Sequence, residues 1–186
     1  MVVDTDAGAL RARTAVVAVS PEALPSLTPL PAPPAHGLTT WWFRATGRPR
    51  TGPFLVLDAS RRRGGPAGPV WNTAAISEAA PSYAPRDEVL VQATTLLGRT
   101  DGLAGEAEVR RDLARLYGTS TRGWEVLAHH VIPRATPAQA PGPVRRAAIR
   151  VGERVLVAGD HAETASIQGA LVSGARIGAL AAAGLA

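Results

Sequence analysis

An α/β chain with a separate antiparallel, helix-backed part is the fold class that the sequence predicts, and three stretches carry that expectation. Near the C-terminus, Val155-Leu156-Val157-Ala158 is an apolar run with the length and composition of a buried strand. It stops at Gly159-Asp160, and after five polar or small residues Ser166-Ile167-Gln168-Gly169-Ala170-Leu171 opens a long helix. Strand, acidic turn and helix start in that order make a site for a polar, partly anionic ligand. The carboxylate accepts hydroxyl hydrogen bonds, and the free N–H groups of the first helical turn face electron-rich atoms. Between residues 38 and 132, apolar segments alternate with turn residues over short linkers, the pattern of antiparallel neighbours.

Val2 to Ser20 read as two strands around Asp6-Ala7-Gly8. The second, Thr14 to Val19, is a continuous apolar run, as expected of a strand covered on both faces. Pro25, Pro29, Pro31, Pro33 and Pro34 exclude an interior helix or a central strand, because proline lacks the N–H and fixes φ. Residues 21–37 therefore read as a crossing between two subdomains. Four strands follow, Leu38–Ala45, Pro53–Asp58, Val70–Ile76 and Glu88–Thr94, with a fifth at Trp124–Ile132. Gly105 to Tyr117 reads as a helix, with Ala107, Val109, Leu113 and Leu116 on its apolar side and Gly118 at its end. Residues 133–143 form a second proline-rich return, and Val144 to Glu153 lead into the strand at 155. Residues 1–20 and 144–186 then form one domain, and 38–132 the sheet and helix of another.

Bulk properties narrow the function classes. The chain has 186 residues, 46% hydrophobic but only 4% aromatic, so its core must be built from Val, Leu, Ile and Ala. All 20 basic residues are arginine, and the net charge is +5. The arginines are scattered, the one run being Arg61-Arg62-Arg63 in a loop, so a nucleic-acid partner is not the expectation. The absence of cysteine excludes disulfides, thiolate metal sites and thiol catalysis. The Ile167–Ala186 stretch is apolar but rich in Ala and Gly and interrupted by Gln168 and Arg176; a helix packed on a sheet is expected, not a membrane span. With no apolar signal core at the N-terminus, a cytoplasmic protein is expected.

The C-terminal residues carry a resemblance. Val-Leu-Val-Ala-Gly159-Asp160, followed by Thr164-x-Ser166-Ile167-Gln168-Gly-Ala-Leu-x-Ser173-Gly174, resembles the C-terminal FAD signature of the flavin-containing amine oxidoreductase family. That family includes monoamine oxidases, protoporphyrinogen oxidases and phytoene-desaturase-like dehydrogenases, and the match is closest to the bacterial desaturase-like members. The resemblance implies FAD as cofactor, with Asp160 hydrogen-bonded to a ribityl hydroxyl. It also implies that N–H groups near Ile167 and Gln168 point at the flavin N1 and C2 carbonyl. Residues 1–20 and 144–186 would be the C-terminal part of a Rossmann-type FAD-binding domain, and 38–132 part of the substrate domain. Ala80-Pro-Ser-Tyr83-Ala-Pro85 is similar to a loop of the desaturase-like members. Without a ligand, Asp160 would be a strand-end turn residue and Ser166 a helix N-cap.

Two departures shape the functional expectation. No G-x-G-x-x-G occurs, and Gly64-Gly65-Pro66-Ala67-Gly68 has the wrong spacing. The chain thus resembles the C-terminal part of a family member. It is expected to bind FAD poorly alone, either as a subunit completed by a separately encoded N-terminal FAD-binding half or as a non-catalytic remnant. Gly37-Leu38-Thr39-Thr40-Trp41 holds no lysine, where the monoamine-oxidase-like members carry one at the flavin. Dehydrogenation or desaturation of a small-molecule carbon skeleton is therefore expected over amine oxidation. Among individual side chains, His161 either faces the isoalloxazine edge or is an exposed turn residue. Trp41 and Phe43 share one strand face, which either packs a core or lines an apolar substrate cavity. His129 and His130 point to opposite faces and cannot share a metal. Ser166 and Ser173 lack the setting of a hydrolase nucleophile.

Overall fold

The computed structural model describes residues 1–62, 65–98, 103–142 and 150–184. In chain order come β1 (Val2–Thr5), β2 (Gly8–Arg11), β3 (Ala15–Val17), α1 (Leu24–Leu27), β4 (Ala35–Ala45) and β5 (Val56–Leu57). They are followed by β6 (Arg61–Arg62), β7 (Gly65–Pro66), β8 (Val70–Ala75), α2 (Ile76–Ala79), β9 (Val89–Leu96) and α3 (Glu106–Tyr117). The last elements are β10 (Glu125–Pro137), β11 (Arg150–Val151), β12 (Val155–Val157) and α4 (Ile167–Ala183). The chain divides into two compact units, Met1–Ala35 with Thr136–Ala186, and His36–Ala135. Arg63 of the arginine run, Gly64, Pro143, and residues 144–149 of the expected lead-in lie outside the described residues.

The His36–Ala135 unit is the antiparallel part. Its described strands are ordered β10-β4-β9-β8-β5, with β4–β9, β9–β8 and β8–β5 all antiparallel. Alternation along β4 buries Thr39, Trp41, Phe43 and Ala45, while Leu38, Thr40 and Trp42 are only partly covered. The buried face meets α3, whose Val109, Leu113 and Tyr117 join Phe43, Val91, Ala93 and Trp124 in one cluster. Helix α3 starts where Glu108 reaches back to accept the Gly105 N–H at 3.1 Å. It ends at Gly118, held in the left-handed conformation at φ 63°. Asp112, 5% exposed on this helix, accepts from the Val70 N–H at 2.9 Å and from Arg115, tying α3 to β8.

The Met1–Ala35 and Thr136–Ala186 unit holds the parallel part. Strands β12 and β3 pair parallel, with Leu156 opposite Val16, and β11 flanks β12 antiparallel in the order β11-β12-β3. Leu156, Ala158 and Ile177 form a second core, with Leu180 and Ala181 of α4 packed against it. Three local expectations need correction. Val2 to Ser20 makes three strands: β1 and β2 close a hairpin with Thr5 opposite Gly8, and β3 is separate. The β3 run is not covered on both faces, since Val16 is 45% exposed. Strand β10 runs through Pro133 to Pro137, beyond Ile132, because it sits at the end of the sheet order, where a missing N–H can face away from the ladder. The proline-rich segment after Ser20 is compact: a 3₁₀ turn at Pro21–Ala23 leads into the single turn α1, which buries Leu24.

Candidate functional site

The site is built where β12 ends and α4 begins. Ala158 donates to the Val17 carbonyl at 3.0 Å, the last rung of the parallel pair. Gly159 then breaks the strand at φ 157°, a backbone region that favours glycine, and a Cβ there would meet the His161 ring at 2.5 Å. Its N–H donates to Ser173 Oγ at 3.1 Å, and Ser173 is wholly buried two turns into α4. Asp160 to Ala162 form a 3₁₀ turn, closed by the Glu163 N–H donating to the Asp160 carbonyl at 3.0 Å. Asp160 is therefore presented half-buried from a turn whose backbone is bonded at both ends.

The start of α4 is equally constrained. Ser166 is its N-cap, and its Oγ accepts from the Gly169 N–H at 3.0 Å and lies 3.0 Å from Thr164 Oγ1. The loop presses against the helix at Gly169, where a Cβ would lie 1.9 Å from the Thr164 carbonyl oxygen. Arg176 pairs with Glu163 at 3.0 Å and reaches the Ala162 carbonyl at 3.4 Å, holding the loop from the next turn of α4. Ile167 and Gln168 are exposed, and as the first two helical residues their N–H groups have no intrahelical acceptor. One carboxylate and a capped helix N-terminus therefore stand on the same short segment, able to accept hydroxyl hydrogen bonds and to stabilise negative charge.

Gly159, Asp160, Ser166, Ile167 and Gln168 thus belong to one continuous structure. Ser173, Gly169 and the Glu163–Arg176 pair are the residues that sequence reasoning left unused here. The signal for two of them was the spacing of Gly169, Ser173 and Ile177 at every fourth residue, the buried stripe of α4. A cavity of about 610 Å³ in this unit lies elsewhere, between Arg13, Arg150, Arg154, Leu156 and Leu180, and includes none of the site residues.

His161 is not an exposed turn residue. Its ring packs over Gly159, and both ring nitrogens are buried without a hydrogen-bond partner among the described residues. Burial pushes the imidazole below its ordinary 6.5, against an opposing pull from Asp160. The unfolded chain then binds the proton more readily than the folded one. The stability owed to the neutral ring is complete above about pH 6.5 and declines as pH falls through that value towards the folded one. Urea midpoints of the wild type should fall between about pH 7.5 and 5, and His161→Phe should flatten that slope.

Trp41 and Phe43 lie in the core under α3, at 6% and 0% exposure, with Trp41 stacked on His129 at 3.8 Å between ring centroids. The packing role is the one their positions supply. The other face of β4 carries Thr40 and Trp42, and there Gln92 donates to Thr40 Oγ1 at 3.1 Å and to Thr94 Oγ1 at 2.7 Å. Tyr83, in the loop Ala80–Pro85, is 68% exposed as the last residue of a 3₁₀ turn, Pro81–Tyr83.

The chain is thus mixed α/β, with a parallel strand pair, an acidic turn and a capped helix in succession. The model of the family described as flavin containing amine oxidoreductase matches residues 2–179, and the chain belongs to that family. Among solved structures, it is similar to an oxidoreductase from Methanosarcina mazei, with a TM-score of 0.67 at 14% identity over 94% of this chain and 44% of that one. It is also similar to the PF1083 protein from Pyrococcus furiosus, with a TM-score of 0.56 at 17% identity over 92% and 41% of the two chains. The chain spans less than half the length of either structure. No curated protein matches it. Among the described residues, no helix is long and apolar enough to cross a membrane.

Proposed function

We propose that this chain is the C-terminal part of an FAD-dependent oxidoreductase of the desaturase-like type. In this reading Asp160 accepts a hydrogen bond from a ribityl hydroxyl, and the Ile167 and Gln168 amides meet the N1 and C2-carbonyl edge of the flavin. The observation that carries it is the Gly159–Asp160 turn, bonded to Ser173 of the helix whose capped N-terminus follows it. The donors and acceptors fit the group: a carboxylate suits a polyol hydroxyl, and helix amides suit an edge that gains negative charge on reduction. FAD, when bound, supplies the hydride acceptor. This chain's residues hold and orient it.

The substrate of this reading is a small or apolar organic molecule that is dehydrogenated or desaturated, since no lysine stands on β4. The antiparallel unit serves as the substrate side, with Thr40, Trp42 and Gln92 on the face of β4 and β9 opposite α3 the better candidates for contact than the core-packed Trp41 and Phe43. The dinucleotide loop, G-x-G-x-x-G, does not occur among these residues, so the remainder of the cofactor site is supplied from outside them. The test is flavin retention through gel filtration. The chain alone should emerge without stoichiometric flavin, and the completed protein should hold it. Asp160→Ala should weaken retention by roughly tenfold to a hundredfold, the loss of one charge-assisted hydrogen bond worth about 1.5–3 kcal/mol. Unchanged retention would remove Asp160 from the site.

A further inference from the structure

We infer that the cavity of about 610 Å³ at the foot of β3 and β12 is a binding site for a small organic phosphate that also carries hydroxyl groups, a sugar phosphate in chemical class. The site is independent of the flavin reading above. Arg154 precedes β12 and Gly159 follows it, so the cavity and the acidic turn lie at opposite ends of one strand, roughly 16 Å apart at about 3.3 Å per residue.

Register brings cationic side chains to this end. Arg150 pairs with Leu156 across β11 and β12, so both side chains leave the sheet face that α4 covers. Arg154 stands two residues before Leu156, and the Ala15 N–H donating to its carbonyl at 2.9 Å continues the ladder, so it takes the same face. Gly152, at φ 62°, turns the chain sharply enough to set both arginines at one hairpin end. Arg13, from the loop before β3, lines the cavity from the neighbouring strand.

Three guanidiniums thus share one concavity with a single carboxylate, Glu153. Arginine stays charged at any working pH. The protein leaves these charges unspent: Arg13 and Arg154 make no side-chain hydrogen bond or ion pair among the described residues, and Arg150 reaches only the Glu153 carbonyl, at 3.3 Å. None of the three caps α4, although its last turn lines the same cavity. Cations gathered in a cleft raise the local potential and favour a multiply charged anion, and guanidinium forks match phosphate oxygens two at a time. The rest of the lining sets the body of the ligand. Glu153 and the negative end of α4 call for hydrogen-bond donors, and Leu156 and Leu180 supply a short apolar wall. Bare phosphate satisfies the arginines alone, whereas a hydroxylated phosphate ester satisfies both sides and suits the volume.

The test is isothermal titration calorimetry of the full chain with ribose 5-phosphate, inorganic phosphate and ribose as probes. Ribose 5-phosphate should bind at least tenfold more tightly than inorganic phosphate, and ribose should give no heat. Its affinity should fall as salt rises, as screening weakens the arginine contacts. Arg13→Gln and Arg154→Gln, both at exposed positions and checked for unchanged melting and circular dichroism, should each raise its Kd at least tenfold. Glu153→Gln should narrow the preference over inorganic phosphate at least threefold. No heat with either phosphate, or binding indifferent to both arginine variants, overturns the site. Inorganic phosphate bound as tightly as the sugar phosphate overturns the ligand class.

Discussion

Phe43→Ala should destabilise the antiparallel unit by about 3–5 kcal/mol, the range for truncating a fully buried aromatic ring. Phe43 has no exposed surface and sits at the centre of the sheet–helix cluster. Trp124 tilts against it at 5.9 Å between centroids, and the Arg110 guanidinium lies 5.2 Å from its ring centre. The cavity left behind cannot easily close. Arg110 is fixed by Glu106 and by the carbonyls of Thr121 and Trp124, and β4 is clamped by eight paired positions to β9. A urea titration followed by tryptophan fluorescence reads the loss directly. Trp42→Ala, on the other face of the same strand, should cost clearly less. Equal losses would mean that α3 does not define the core face.

Gly169→Ala should disorganise the start of α4, with a destabilisation of about 1–3 kcal/mol or more. In most helix interiors this substitution stabilises, because alanine is the better helix former. Here the new methyl would sit 1.9 Å from the Thr164 carbonyl oxygen and 2.6 Å from Thr164 Oγ1. Backbone does not yield as a flexible side chain would, so the 163–166 loop must move, and with it the Ser166 cap. Gly178→Ala is the internal control, since its Cβ position is open and nothing in the described chain resists it. Thermal melting of the two variants should shift in opposite directions. A stabilised Gly169→Ala would show that the loop does not press on the helix.

Much of the candidate site was legible because its signals are local. Val155 to Gly178 reads as apolar run, Gly-Asp break, serine cap and helix, all within one stretch, and β12, the turn and α4 form in that order. Whether His161 meets solvent depends on Gly159 having room for its ring, and no pattern of residue types states that.

By itself the sequence determined the strand–turn–helix segment, the α3 boundaries ending at Gly118, and the family to which the stretch from Val155 to Gly174 points. Each is set by residues within a few positions of one another. Tertiary structure alone decided the order β10-β4-β9-β8-β5, the assignment of Trp41 and Phe43 to the helix-covered face, and the exposure of Val16. Those depend on which distant segment pairs with or covers a strand. Alternation tells which residues share a face, and only packing tells which face is buried.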